Sequence, residues 1–125
     1  FYQSDLREEP YGQGDITTLE KAYSFDPLEG VTPEAAGHIL GTQFQPWSEF
    51  LPTYRAMQYA AWPRGCALAE VAWSKAGDRN FEDFSARLTE HVRRFDAAGV
   101  NYRPLSGPQP WQEGGTGWRR RPPED

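Results

Sequence analysis

In the stretch GTQFQPWSEF, residues 41–50, an indole at Trp47 stands two positions before a carboxylate at Glu49. Such a pair has a definite chemistry open to it. A pyranose ring presents an apolar face that stacks on an indole, and its hydroxyls donate hydrogen bonds to a carboxylate. An ordinary core tryptophan followed by a solvated glutamate has the same spelling, so these two residues alone leave both readings standing.

Other reactive side chains are sparse or badly spaced. Cys66 is the single cysteine, which excludes an internal disulfide, and it lies in an apolar run where a buried, inert thiol is expected. His38 and His91 are far apart and have no companion at metal-ligand spacing, so each reads as a helix-face or core histidine. Neither a metal nor a cofactor is expected.

The elements that must position Trp47 and Glu49 can be read from capping and periodicity. Thr17 with Glu20 three residues later forms a capping box and opens a short helix to about Tyr23, which the turn DPLEG stops. Thr32 before Pro33 starts a second helix over PEAAGHIL, ended by Gly41. The alternating run TQFQPW predicts a strand of five or six residues, with Pro46 confined to its end, so the pair falls at the strand's C-terminal end. Helical spacing follows in LPTYRAMQYAAW, and Pro63 opens a further, small-residue helix over PRGCALAEVAWS. Asn80 caps the clearest amphipathic helix, FEDFSARLTEHVRRFDAAG, with Phe81, Phe84, Leu88, Val92 and Phe95 on one stripe and Gly99 as its stop. That stripe is expected to be core. Residues 106–125 read as a Gly-, Pro- and Arg-rich tail, flexible or draped over the surface, with isolated tryptophans at 111 and 118.

Composition bounds the function. The chain has 125 residues, 38% of them hydrophobic, with 11 Pro and 12 Gly, enough for one modest core and much loop. A net charge of −5 argues against nucleic-acid binding, since the basic cluster Arg119–Arg121 is confined to the tail. No targeting segment can be read in these residues, which leaves the location open at this point, and no run is long enough to span a bilayer. One strand among several helices cannot form a self-sufficient sheet, which predicts part of a larger α/β fold. In an α/β barrel the working residues sit at the C-terminal ends of strands, the place that Trp47 and Glu49 take.

The blocks TTLEKAYSFDP, GTQFQPWSEF, WPRGCALAEVAWS and FEDFSARL, in this order and spacing, resemble the C-terminal part of the β-N-acetylhexosaminidases, family twenty of the glycoside hydrolases. The strongest elements are Gly41-x-Gln43, Trp47-x-Glu49, Pro63-Arg64, Ala69-Glu70 and Trp73, and the resemblance runs from about Phe1 to Leu105. It implies an α/β fold: a C-terminal fragment of a (β/α)8 TIM barrel, mostly helical in this piece, with residues 1–105 belonging to the catalytic domain. It implies that Trp47 walls the subsite for a terminal N-acetylhexosamine and that Glu49 accepts hydrogen bonds from sugar hydroxyls. The implied chemistry is substrate-assisted and retaining: an acid Glu protonates the leaving oxygen, and the substrate's 2-acetamido oxygen attacks the anomeric carbon while an Asp orients it.

By the same resemblance the catalytic Asp-Glu pair lies on an earlier strand, outside these residues, and no catalytic residue is expected in the fragment. Glu82 and Asp83 are adjacent but belong to the exposed face of the last helix. A family Tyr-x-Asp would fall just before Phe1, leaving Tyr2 and Gln3 at best beside the pocket. Arg64 and Glu70, six apart on one helix, do not share a face and read as structural partners of other barrel helices. The implied partners are an N-acetylhexosamine-terminated oligosaccharide or glycan and the remainder of the barrel, with no nucleic acid and no membrane. A periplasmic or secreted location is expected from the resemblance. A competing class is a non-catalytic carbohydrate-binding or protein-interaction module that uses Trp47, Trp111 and Trp118 as stacking surfaces. Uncovered helix faces and strand edges weigh against it, and predict a piece that depends on its missing partner segments.

Overall fold

The structure, a computed structural model, describes residues 17–48 and 51–112. Five α-helices run in chain order: α1 Leu19–Tyr23, α2 Pro33–Ala36, α3 Tyr54–Ala61, α4 Arg64–Trp73 and α5 Phe81–Ala97, with a 3-10 turn Ala76–Asp78 before the last. The piece is mostly helical, as expected. Among the described residues none is long and apolar enough to cross a membrane.

Local chemistry explains where most of the helices begin. At α1, α2, α3 and α5 the side chains of Thr18, Thr32, Thr53 and Asn80 accept a hydrogen bond from the backbone N–H three residues on, satisfying a donor that the helix leaves open. The cap of α1 is therefore Thr18 and not Thr17. Helix α5 ends as its sequence predicts. Gly99 takes φ +65°, the Val100 N–H donates to Phe95 O at 2.9 Å, and the Gly99 N–H donates to Asp96 O at 3.1 Å. These two bonds make the Schellman closure that favours glycine.

The core lies where α1, α4 and α5 meet. Tyr23, Ala67, Phe84 and Leu88 are buried together, with Leu19, Ala22, Cys66, Phe81 and Val92 packed around them. The Tyr23 ring stands 4.8 Å from Phe84 and 5.4 Å from Phe81, centroid to centroid, within the range of favourable aromatic pairing. The α5 stripe is core at its centre. Burial also acts on Cys66, whose thiol is pushed up to about 11, so it stays protonated at neutral pH and is no nucleophile.

Two expectations change. The helix over PEAAGHIL is only one turn long, since Gly37 weakens it and Leu40, 96% exposed, finds nothing in the described chain to bury against. The strand over TQFQPW does not form, and no strand occurs among the described residues. Its alternation is correct for an extended segment. A strand, however, exists only through a hydrogen-bonded neighbour, and among the described residues no backbone hydrogen bond engages residues 41–47. A barrel is accordingly not seen in this piece.

The beginning of the tail is anchored. Buried Gln112 donates through Nε2 to Asn101 Oδ1 at 3.0 Å and to Tyr102 O at 2.8 Å, while its Oε1 accepts from the Gln109 N–H at 2.8 Å. Residues 106–112 therefore lie draped and pinned, with Trp111 facing outward. Arg119–Arg121 and Trp118 lie outside the described residues.

Candidate functional site

A cleft of about 480 Å³ opens between the segment 42–47 and the helices α1, α3 and α4. Its walls include Lys21, Phe44, Trp47, Ala61, Arg64 and Gly65. Most of the lining is apolar.

Trp47 forms part of this wall and is 62% exposed. Glu49, with Phe50, lies outside the described residues, as do Tyr2 and Gln3. Of the predicted binding pair, then, the structure places Trp47.

Arg64 lines the cleft but is turned to the backbone. Its Nε donates to Ala60 O at 3.2 Å, Nη2 makes a short contact with the same carbonyl, and Nη1 donates to Thr17 O at 3.3 Å. The guanidinium thus ties the end of α3 to the residues that lead into α1. That is a structural pairing, as its sequence position predicts.

Glu70 points to the opposite side of α4. Its Oε1 accepts from the Tyr23 hydroxyl at 3.1 Å and from Arg87 Nη2 at 2.7 Å, and Arg87 also donates to Asp83 at 2.8 Å. The Arg87 hydrogen bond holds the Glu70 carboxyl below the ordinary carboxylate range. Burial, reinforced by the bond to Glu70, raises the Tyr23 hydroxyl above its usual value. One carboxylate therefore locks α1, α4 and α5 together. Asp83 serves as the exposed outer partner of Arg87.

His91 stacks edge-on against Phe95, at 4.8 Å, and His38 is exposed. Among the described residues no three His, Cys, Asp or Glu side chains converge as a metal site.

Two features of the site were not predicted. Gly65 is buried inside α4, and a Cβ built on it would stand 2.9 Å from Trp62 Cζ3 and 3.4 Å from Phe44 Cζ. A glycine inside a helix was the available signal, because it weakens the helix unless something approaches closely. The second is the set Arg55, Gln58, Asn101 and Gln112. Asn101 Nδ2 donates to Arg55 O at 3.0 Å, its N–H to Gln58 Oε1 at 3.2 Å, and its Oδ1 accepts from Arg55 and Gln112. These bonds fasten the chain after α5 onto α3.

The sequence blocks that carry these helices and this segment resemble a glycoside-hydrolase catalytic domain, and comparison with known proteins bears the resemblance out. Residues 1–76 match the catalytic domain of glycosyl hydrolase family 20, and the chain belongs to that family. A beta-hexosaminidase of Akkermansia muciniphila is 41% identical over 92 residues, covering 74% of this chain and 18% of the relative. One from Porphyromonas gingivalis is 36% identical over 116 residues, covering 92% and 14%. Among solved structures, the exo-beta-N-acetylglucosaminidase of Vibrio harveyi in complex with N-acetylglucosamine superposes with a TM-score of 0.66 at 35% identity, over 72% of this chain and 14% of that one. The chain thus spans less than a fifth of the length of these relatives.

Proposed function

We propose that this chain supplies part of the sugar pocket of a retaining exo-β-N-acetylhexosaminidase that releases terminal β-linked GlcNAc or GalNAc. The observation that carries the reading is the Trp47 indole, open at the rim of the cleft two residues before Glu49. Trp47 offers the stacking face, and Glu49 accepts hydrogen bonds from the sugar hydroxyls. The N-acetylglucosamine bound by the Vibrio harveyi relative supports a ligand of this class.

In this reading the chemistry lies elsewhere in the full-length protein. An Asp-Glu pair on an earlier strand serves the substrate-assisted reaction, with the substrate's acetamido oxygen as nucleophile. Glycans and chitooligosaccharides ending in N-acetylhexosamine are the substrate class, and the setting is periplasmic or secreted.

The test compares hydrolysis of a chromogenic β-N-acetylglucosaminide by the full-length protein and its Glu49→Gln variant. Losing a charged acceptor for sugar hydroxyls is expected to cost about 1.5–3 kcal/mol, a drop in kcat/KM of roughly 10- to 150-fold. An active enzyme indifferent to the change would remove Glu49 from the pocket. An inactive full-length protein would overturn the hydrolase reading.

A further inference from the structure

Residues 41–47 present a physical problem: Trp47 must be held in place, yet among the described residues no backbone hydrogen bond engages its segment. Within the described chain it is side-chain packing that holds the segment. Phe44, three residues before Trp47, is 47% exposed and lines the same cleft. Its ring edge comes over α4 at Gly65, beside the benzo edge of Trp62.

Gly65 can receive both rings because it has no side chain. A Cβ there would lie 2.9 and 3.2 Å from Trp62 Cζ3 and Cε3, closer than side chains pack, and 3.4 Å from Phe44 Cζ. Trp62 has little freedom to retreat. Its N–H donates to Gln58 O at 2.9 Å, its carbonyl accepts from the Arg103 N–H at 3.1 Å, and its ring is backed by Phe95 at 5.5 Å. A methyl group at 65 would therefore crowd both rings, and Phe44, 47% exposed, is the less constrained neighbour.

We infer that Gly65 is a positioning residue for the sugar-binding Trp47, acting through the Trp62 and Phe44 rings that approach it on α4. This rests on the proposed role of Trp47 and adds the device that sets its place. Gly65 touches no substrate. Its effect reaches the pocket as a displacement of residues 44–47.

The experiment measures KM and kcat for the chromogenic glucosaminide, together with thermal unfolding, in the full-length protein. Variants are Gly65→Ala, Phe44→Ala, the double variant Gly65→Ala with Trp62→Leu, the single Trp62→Leu, and Trp47→Ala as reference. Gly65→Ala and Phe44→Ala are each expected to raise KM roughly 5- to 30-fold, the range of a one- to two-kilocalorie misplacement, with kcat changed less. Trp62→Leu removes both clashing carbons, so Gly65→Ala made in that background should raise KM by less than it does alone. If Trp47→Ala raises KM while Gly65→Ala and Phe44→Ala lower only the melting temperature, the positioning role is overturned and the sugar-binding role survives. If Trp47→Ala leaves KM unchanged, the sugar-binding role itself falls. Should Gly65→Ala fail to fold, Phe44→Ala, at a half-exposed site, decides the matter alone: an unchanged KM overturns the inference.

Discussion

The helical body and the Trp47 segment differ in where their partners come from. In the body, α1, α4 and α5 bury a shared aromatic core, and four helices carry side-chain caps that close their own backbone donors. From Ile39 to Trp47 the large apolar side chains Ile39, Leu40, Phe44 and Trp47 all stand exposed. The body buries a core of its own, although Tyr54 on α3 and Trp73 on α4 stand exposed, while the segment carries the features of a strand without a neighbour. The core is thus lodged in the body, and the proposed recognition in the segment.

Breaking the body should have the largest effect. Phe84 is buried between Tyr23 and the α4–α5 contact. Phe84→Ala is expected to lower stability by about 3–5 kcal/mol through lost burial and the cavity left behind. Denaturant unfolding of the full-length protein, followed by far-ultraviolet circular dichroism, checks this. A loss under 1 kcal/mol would show that the core does not hold the three helices together.

A change in the segment sharpens the contrast. Leu40 has nothing over it here, so by itself Leu40→Ser would be nearly neutral. In the full-length protein the proposed barrel covers it, and the same substitution is then expected to cost about 1.5–3 kcal/mol, the value of a buried leucine side chain. The same unfolding measurement decides between the two. A neutral result would mean that the segment faces solvent in the whole enzyme and that its partner is not the barrel.

The same division governs what could be read from the sequence. Helix α5 was legible end to end because Asn80, the apolar stripe and Gly99 act within one helix. At α1 the adjacent threonines shifted the cap by one residue, since Thr18 and Thr17 offer the same hydroxyl and only the backbone geometry chooses. The strand over TQFQPW could not be settled locally, because alternation shows which faces a segment would bury and says nothing of the neighbour it needs. Trp47 was singled out by residue type and by resemblance. The approach of Phe44 and Trp62 to Gly65 required the fold, as did the bonds from Asn101 to Arg55 and Gln58, which span more than forty residues.

The smallest expected effect tests how the body is held. Glu70 is largely covered, receives bonds from Tyr23 and Arg87, and has its carboxyl held below its ordinary value of 4.5, chiefly by the Arg87 bond. A carboxylate depressed in the folded state contributes stability that is fully present above the unfolded value and is lost as pH falls through the folded one. Because Arg87 is 55% exposed, solvent screens the pair, and Glu70→Gln is expected to cost about 1 kcal/mol or less at pH 7. The amide still offers an oxygen to the Tyr23 hydroxyl, so the variant isolates charge from hydrogen bonding. Wild type and variant should therefore converge in stability as pH is lowered below 4.5, the variant having already lost what the acid removes. Parallel curves through that window would locate the lock between α1, α4 and α5 in aromatic packing alone, and would leave the Glu70–Arg87 pair a surface contact with no hold on the body.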